Sequence, residues 1–320
     1  MPQARPARLF VAFAVVLVAA TGLSLRWWST AEPPQTLRVG LGPWIGYEPL
    51  VAARESGALP AAVRLVELGS NTEAIDAFEE GRLDAAGLTL DESLRLAREG
   101  TPHSIVAVLS DSRGGDAVLG RPPHASVADL AGGVVLVEDT AGGQFVLGAA
   151  LEDAGVPRSA VEVRRVQATR LPVAWANGEA AGVVAHSPLV ERLQAEGATL
   201  LFSTRDHPGL VLDVLVLREG LSPDDPAVRA LFEAWDAGHA RLAALDEPLA
   251  TVLARGLGMD AAAYREALTR VALVPSAEGR AMLAGDPPPI AASIERVERL
   301  IEAAPGTGTA RPRLDPGTPP

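Results

Sequence analysis

The sequence of 320 residues contains no cysteine and no lysine, and only 4% of its residues are aromatic. Without cysteine, the chain has no disulfides, no thiolate metal site, no iron–sulfur cluster, no cysteine nucleophile and no lipidated cysteine. Its 28 basic residues are all arginines, and 40 acidic residues leave a formal net charge of −12. Because there is no excess of cations to displace phosphate counterions, this balance argues against non-specific binding of nucleic acid.

The length and hydropathy of the chain define its general class. A chain of this length suits two lobes of about 100 to 200 residues each. The composition is 48% hydrophobic and 21% charged, which argues against intrinsic disorder. One long apolar run occurs, at the N-terminus, and this argues against a multispanning membrane protein. We therefore expect a globular body with a leader.

Residues 1–31 have the pattern of a secretion signal. Arg5 and Arg8 precede an uncharged apolar run of 17 residues, 9–25, which a polar, proline-containing segment follows. This length lies between the apolar core of a cleaved signal peptide, about 7 to 15 residues, and the roughly 20 residues of a spanning helix. Two interpretations stay open, a signal peptide and an N-terminal membrane anchor, and both place the rest of the chain outside the cytoplasm. That rest has 25 arginines against 40 acids, a formal charge of −15.

Short β-rich segments alternate with amphipathic segments in two tandem units, which predicts a doubly wound α/β architecture. The first unit covers residues 37–88, and the pattern restarts after a proline-containing linker at residues 121–124. A predicted strand at residues 209–218 precedes a region, 223–300, that we expect to be wholly helical. These helices must pack on the first unit, so the chain is expected to return to it.

This return predicts a first lobe made from both ends of the exported chain. Its boundaries are residues 36–118 plus 214–302, and the second lobe is residues 119–213. Residues 304–320 are rich in proline, glycine and threonine, which is typical of a disordered tail.

Ligands of open α/β sheets bind at the carboxyl ends of strands, where loops lead into helices. The first such loop contains Trp44 and Tyr47, which can stack on a ligand or plug the lobe interface. Helix starts at residues 70–72, 140–143 and 187–188 can together form a polar cradle, and each alone can simply be a helix cap.

Two aspartates, Asp116 and Asp213, lie at the two predicted crossovers between the lobes. Each can bind a cation or hydroxyl of a ligand, or accept hydrogen bonds from hinge amides. Arg113 is the one cation near the predicted cleft, and His186 ends a strand just before a helix start. No metal-binding spacing, phosphate loop, dinucleotide fingerprint or nucleophile elbow occurs. We therefore expect no catalytic residues, no metal and no cofactor.

Several segments, taken in order, resemble one known family. They are residues 37–40, 43–50, 77–85, 111–116, 129–135, 182–188, 202–204 and 212–216. With these segments, residues 36–300 resemble the periplasmic substrate-binding proteins of nitrate, sulfonate and taurine ABC transporters, the group that includes thiamine-precursor binders. The resemblance implies an α/β fold of the type II periplasmic binding protein class, with two lobes joined by two crossovers.

The same resemblance implies a ligand-binding site and a function. Carried over by position, the ligand-binding residues are Trp44, Tyr47, Asn71, Thr72, Thr89, Asp116, Thr140, Ala141, Gly142, Ser187 and Asp213. The implied function is capture of a small polar solute, without catalysis, for delivery to an ABC permease. We expect a periplasmic or extracytoplasmic monomer, with membrane contact through the leader if it is uncleaved.

The sequence departs from this family in the charge of its predicted cleft. Members that bind oxyanions often use cationic side chains, whereas here Arg113 stands beside two carboxylates. A zwitterionic, amine-bearing or heterocyclic solute that stacks on Trp44 and Tyr47 therefore fits better than nitrate or a sulfonate. Two alternatives stay open: an enzyme on the same fold, of the dehydratase or pyrimidine-precursor type, and a membrane-tethered ligand sensor.

Overall fold

Two β-sheets with flanking helices organise the residues that the computed structural model describes, 36–138, 141–302 and 309–318. In chain order the strands are β1 Leu37–Leu41, β2 Val63–Glu67, β3 Ala85–Thr89, β4 His103–Ser112, β5 Asp116–Gly120, β6 Val134–Glu138, β7 Glu162–Val166, β8 Gly182–His186, β9 Thr199–Ser203, β10 Leu212–Arg218, β11 Val271–Leu273 and β12 Arg313–Leu314. The helices are α1 Glu48–Glu55, α2 Asn71–Glu79, α3 Leu90–Arg98, α4 Ala141–Asp153, α5 Leu171–Ala176, α6 Leu189–Ala195, α7 Pro226–Ala243, α8 Glu247–Gly256, α9 Ala261–Leu268, α10 Ser276–Ala281 and α11 Ala291–Glu302.

The first lobe is built on a sheet with the strand order β11-β4-β10-β3-β1-β2, and β12 also pairs with β4. Strand β1 is parallel to both β2 and β3, as tandem βαβ units require. Strand β10 is antiparallel to both of its neighbours, β3 and β4. The expectation of a wholly helical region at residues 223–300 was wrong, because β11 extends the edge of this sheet. Its three residues are too few to interrupt the helical periodicity around them.

The second lobe is built on a sheet with the strand order β7-β6-β8-β5-β9. Its apolar strands β6 and β8 are parallel neighbours with buried centres, as their continuous hydrophobic runs predict. The sheet starts at Asp116 and the first sheet resumes at Leu212, so both crossovers lie a few residues before the boundaries we expected.

Two short segments, residues 113–115 and 204–211, carry the chain between the lobes. A hydrogen bond of 2.8 Å between the hydroxyls of Ser112 and Thr204 ties them together. Gly114 donates its N–H to the same Thr204 oxygen, at 3.0 Å, and has a φ of +109°, which favours glycine. The two crossovers thus form one hydrogen-bonded unit.

Helix starts set the loops at the carboxyl ends of the first-lobe strands. At α3, Thr89 accepts the N–H of Glu92 and the Glu92 carboxylate accepts the N–H of Thr89, which is the capping box that the sequence predicts. At α2, Ser70 accepts the N–H of Glu73. These caps fix where α2 and α3 begin, close to the gap between the lobes.

The end of the chain contacts both lobes. Helix α11 packs on α3 of the first lobe and α4 of the second. One ion pair, Arg296 with Asp153 at 3.6 Å, joins α11 to the second lobe.

The predicted disordered tail includes residues that are ordered in the structure. The short edge strand β11 pairs only with residues 110–112 of β4, and β12 pairs further along β4, at residues 104–105. Arg313 and Leu314 therefore add a short strand to the sheet, and Asp315 next to them donates its N–H to the Ile105 carbonyl at 2.9 Å. The composition of the tail predicts disorder because it cannot reveal this open stretch of β4.

Among the described residues, no helix is both long and apolar enough to cross a bilayer. The predicted leader, residues 1–31, lies outside them.

Candidate ligand-binding cleft

A cavity of about 150 Å³ lies between the two lobes, at the carboxyl ends of β1, β3, β6 and β8. The first lobe lines it with Trp44, Asn71, Thr89, Glu92 and Asp213. The second lobe lines it with Asp116, Glu138, Gly142 and His186. This is the position at which open α/β sheets bind ligands.

Asp213 is the most highly connected side chain of the cleft. Its Oδ2 accepts a hydrogen bond from Trp44 Nε1, at 2.7 Å, and one from the Ser110 hydroxyl. Its Oδ1 accepts one from the Tyr47 hydroxyl, at 3.3 Å. Burial raises the pKa of Asp213 to about 7, although these donors oppose the shift. Asp213 thereby holds both aromatic residues of the first loop in place.

Trp44 is positioned by glycines as well as by Asp213. A Cβ at Gly115, in the first crossover, would lie 2.7 Å from Trp44 Cη2, and one at Gly46 would collide with Trp44 Nε1. Only glycine gives the indole this space at both positions. The ring also contacts the second lobe, since it packs edge to face against the His186 ring, with 5.7 Å between the two ring centroids.

Glu92 brings a buried carboxylate to the cavity from the first turn of α3. Its Oε2 accepts hydrogen bonds of 2.9 Å from the Thr89 N–H and from Asn71 Nδ2. Burial, together with the charge of neighbouring Asp91, raises the pKa of Glu92 to about 8. Asn71 and Thr89 therefore contribute to the cleft by holding this carboxyl group.

Asp116 begins β5 directly after the first crossover. Its N–H donates to the hydroxyls of Ser112 and Thr204, at 3.2 and 3.3 Å, which ties it to the linked crossovers. Its Oδ2 is buried and has no hydrogen-bond partner among the described residues. Burial also raises the pKa of Asp116.

His186 and Glu138 form the second-lobe wall of the cleft. They end the adjacent strands β8 and β6, and His186 Nε2 lies 3.4 Å from Glu138 Oε2. Burial disfavours the imidazolium, but the Glu138 carboxylate outweighs it and raises the pKa of His186 to about 9. The histidine is thus charged at neutral pH and paired with an acid of its own lobe.

Six of the predicted ligand-binding residues line the cavity: Trp44, Asn71, Thr89, Asp116, Gly142 and Asp213. Tyr47 is buried behind the cavity wall, Thr72 is exposed, and neither lines it. Ser187 is buried and donates to Glu191 at 2.7 Å. Thr140 lies outside the described residues, and of Ala141 only its place at the start of α4 is described.

Two acidic residues of the cleft were missed by sequence reasoning, Glu92 and Glu138. A signal for Glu92 was present, because the glutamate at the third helical position of a capping box reaches back to the residue before the helix, here Thr89 at the end of β3. Glu138 ends an apolar strand, which is the same signal that singled out His186. Arg113, expected near the cleft, instead pairs with Asp111 at 2.7 Å and does not line the cavity.

A second, larger cavity of about 750 Å³ adjoins the first and shares Glu138 and His186 with it. It lies between α5 and α6 of the second lobe and the segment from Gly258 to α9 of the first. Next to it, Arg270 Nε and Glu191 Oε1 form an ion pair of 2.7 Å between the lobes. The described residues contain no cluster of three or more side chains suited to hold a metal ion.

Two α/β lobes, two crossovers and a cavity between the lobes define the type II periplasmic binding protein fold, and solved structures share it. The alkanesulfonate-binding protein SsuA from Xanthomonas axonopodis pv. citri, bound to MOPS, is 16% identical, with 85% of this chain and 94% of that chain covered and a TM-score of 0.72. The periplasmic aliphatic sulphonate-binding protein SsuA from Escherichia coli is 16% identical, with 89% and 94% covered and a TM-score of 0.72. The desulfurization enzyme DszB is 17% identical, with 83% and 92% covered and a TM-score of 0.59.

The sequence itself gives the family. Residues 30–245, more than half of the chain, match the model of the NMT1-like family, and the chain belongs to that family. A comparison with curated proteins finds no match to the sequence.

Proposed function

We propose that this chain is an extracytoplasmic solute-binding protein that captures a small polar solute between its lobes and delivers it to an ABC permease without chemical change. The observation that carries this proposal is the position of the cavity, which both lobes line beside the two crossovers. Rotation about two short, linked segments is the movement by which hinged proteins open and close around a ligand. Asp116 and Asp213 line the cavity next to those segments.

The relatives and the predicted leader support the same proposal. The SsuA structures belong to proteins named for binding sulfonates, and one of them is named as periplasmic. The basic and apolar pattern of residues 1–31 predicts export of the body. We infer a monomer that acts beside the cytoplasmic membrane, with a permease as its partner, and the leader provides a membrane anchor if it is retained.

The test is to purify the full chain with its solute and compare solution scattering before and after the solute is removed. We expect the radius of gyration to increase on removal and to return on re-addition. The solute released by denaturation should have the same mass as the solute added. An identical scattering curve in both states would contradict the hinge mechanism.

Catalysis is a second candidate function, because the fold is shared with an enzyme and the cavity holds carboxyl groups with strongly raised pKa values, Glu92 and Asp213. Mass spectrometry of the solute after prolonged incubation separates the two functions. A solute that is converted by the wild-type protein but not by Glu92→Gln would establish an enzyme and overturn the transport proposal.

A further inference from the structure

The charge of the cleft indicates which class of solute it accepts. Among the described residues that line the cavity, four are acidic: Glu92, Asp116, Glu138 and Asp213. One is basic, His186, and it is already paired with Glu138. Once Glu92 and Asp213 ionise, above their pKa values of about 8 and about 7, an anionic solute would meet several carboxylates in a partly water-excluded site, where like charges repel more strongly than in water.

One oxygen of the Asp116 carboxyl group, Oδ2, has no hydrogen-bond donor among the described residues, and a ligand can supply one. The other carboxylates of the cleft have partners within the protein: Asp213 has three donors, and Glu92 has two on one oxygen. In contrast, Asp116 Oδ2 is buried without a donor in the described part of the chain. A buried acceptor without a donor is costly, and a positively charged N–H group is its strongest complement.

Side chains of the first lobe accept hydrogen bonds from N–H groups at its helix starts, where an anion could otherwise bind. At α3, the N–H of Glu92 bonds to the Thr89 hydroxyl, and the carboxylates of Asp91 and Glu92 occupy the first turn. At α2, Ser70 and Glu73 fill the same role. These side chains place carboxyl groups at both first-lobe helix starts that face the cavity.

Trp44 gives the cavity an apolar wall. Its Nε1–H is engaged by Asp213, so the indole offers the solute its ring and not its donor. A cation held against an indole gains a cation–π attraction. The cavity of about 150 Å³ beside Trp44 has room for one small group, and the adjoining cavity of about 750 Å³ can hold the remainder of a longer solute. In another protein a cavity of about 150 Å³ accommodates one benzene ring.

We propose that the solute is a small organic cation whose positively charged nitrogen donates hydrogen bonds to Asp116, with up to about one six-membered ring enclosed in the cavity. This rests on the proposed solute-binding function. Glu92 supplies a second acidic oxygen, and Asp213 acts as a positioning residue that holds Trp44 and Tyr47.

The test uses three probes of nearly equal shape and different charge, at about pH 8, close to the raised pKa of Glu92. They are benzamidine, benzamide and benzoate, and their binding to the full chain is measured by calorimetry. We expect benzamidine to bind at least about 30-fold more tightly than benzamide, and benzoate to bind more weakly than either. Asp116→Asn should lower the affinity for benzamidine by at least about 30-fold and leave the affinity for benzamide unchanged.

Two controls separate loss of recognition from loss of structure. Asp76→Asn makes the same chemical change on an exposed face of α2 and should leave benzamidine binding unchanged. Because Asp116 Oδ2 accepts no hydrogen bond among the described residues and asparagine keeps the shape of the side chain, the melting temperature of empty Asp116→Asn should stay close to that of the wild type. Benzoate binding as tightly as benzamidine, or Asp116→Asn binding benzamidine as tightly as Asp76→Asn does, would overturn the proposal.

The solute that co-purifies with the chain separates a failure of the cation proposal from a failure of the proposed solute-binding function. A released solute with net positive charge supports both the cation proposal and solute binding. A released neutral or anionic solute overturns the cation proposal and leaves solute binding intact. If no solute co-purifies and none of the three probes binds, solute binding itself is overturned, and the cation proposal with it.

Discussion

Glu191 on α6 of the second lobe and Arg270, just after α9 of the first, form an ion pair of 2.7 Å between Oε1 and Nε. Less than a fifth of either side chain is exposed, so the pair is partly protected from solvent. The Arg270 carbonyl also accepts the N–H groups of Arg113 and Gly115 in the first crossover. The pair thus links the second lobe to the first-lobe residue whose carbonyl binds the first crossover. We expect it to stabilise the arrangement in which the lobes are closed around the cavity.

Weakening this ion pair should open the protein. In Glu191→Gln the neutral amide still accepts hydrogen bonds but loses the charge, which we expect to cost about 1 kcal/mol, or about fivefold in affinity for the co-purified solute. The radius of gyration of the empty protein should increase. The matched control is Glu196→Gln, which breaks an exposed pair with Arg192 near the end of the same helix. Equal affinity and equal radius of gyration in the two variants would show that the ion pair with Arg270 does not hold the lobes together.

The two aromatic donors to Asp213 should differ in strength. Trp44 Nε1 lies 2.7 Å from its acceptor oxygen and the Tyr47 hydroxyl 3.3 Å, and both bonds lower the pKa of Asp213. In Trp44→Phe we therefore expect the pKa of Asp213 to rise above about 7, and in Tyr47→Phe to rise less. Titration of the carboxyl carbon by NMR measures both shifts. A larger rise in Tyr47→Phe would contradict the hydrogen-bond geometry.

Affinity for benzamidine should increase with pH between about pH 6 and about pH 9. Below their pKa values of about 7 and about 8, Asp213 and Glu92 are neutral and attract a cation weakly. As they ionise, and as His186 loses its proton near its pKa of about 9, the cleft becomes more negative. Two further acids act on these carboxyls, Asp91 on Glu92 and Asp116 on Asp213, while Glu138 acts on Asp116 and His186.

Calorimetry in two buffers of different ionisation enthalpy should detect release of protons on benzamidine binding near pH 7. In Glu92→Gln we expect fewer protons released and a flatter pH profile. An affinity that falls as pH rises over this range would mean that these carboxyls do not face the cation.

A buried acid away from the cleft should control stability. Glu48 is 4% exposed and accepts a hydrogen bond of 2.9 Å from the Tyr264 hydroxyl, and burial raises its pKa to about 8. An unfolded glutamate ionises at about 4.3, so between that value and about 8 the unfolded state loses the proton and the folded state keeps it. The wild-type protein should therefore lose stability across this range as pH rises.

The variant Glu48→Gln cannot ionise and still offers an oxygen to Tyr264. Its melting temperature, relative to the wild type, should rise steadily from about pH 5 to about pH 8. Glu152→Gln, at an exposed position of α4, should show no such trend. A constant difference between Glu48→Gln and the wild type would mean that Glu48 is ionised in the folded protein.

The part of the fold that local patterns specify could be predicted from the sequence. The apolar runs of β6 and β8 and the capping box at Thr89 and Glu92 are local signals, and the structure confirms them as elements. The pairing of β12 with β4 could not be predicted, because it depends on a stretch of β4 that β11 leaves open in three dimensions. Composition describes the tail, not the edge to which it binds.

The candidate cleft was predictable to a similar degree. Trp44, Asp116 and Asp213 were found because strand ends and crossovers are visible in sequence patterns. Tyr47 and Ser187 were placed in the cleft by their loops, but they point to Asp213 and Glu191 respectively. Which side of a loop faces a ligand depends on packing between distant segments, and a single sequence does not report that packing.

The pairing of β12 with β4 provides a way to observe the movement of the lobes. Because β12 holds residues 309–318 to the first lobe, a dye at exposed Ala310 would follow that lobe. Val173, 65% exposed on α5, would carry a second dye on the other lobe. The chain has no cysteine, so Ala310→Cys and Val173→Cys would be its only thiols. Energy transfer between the two dyes would then report each opening and closing in single molecules.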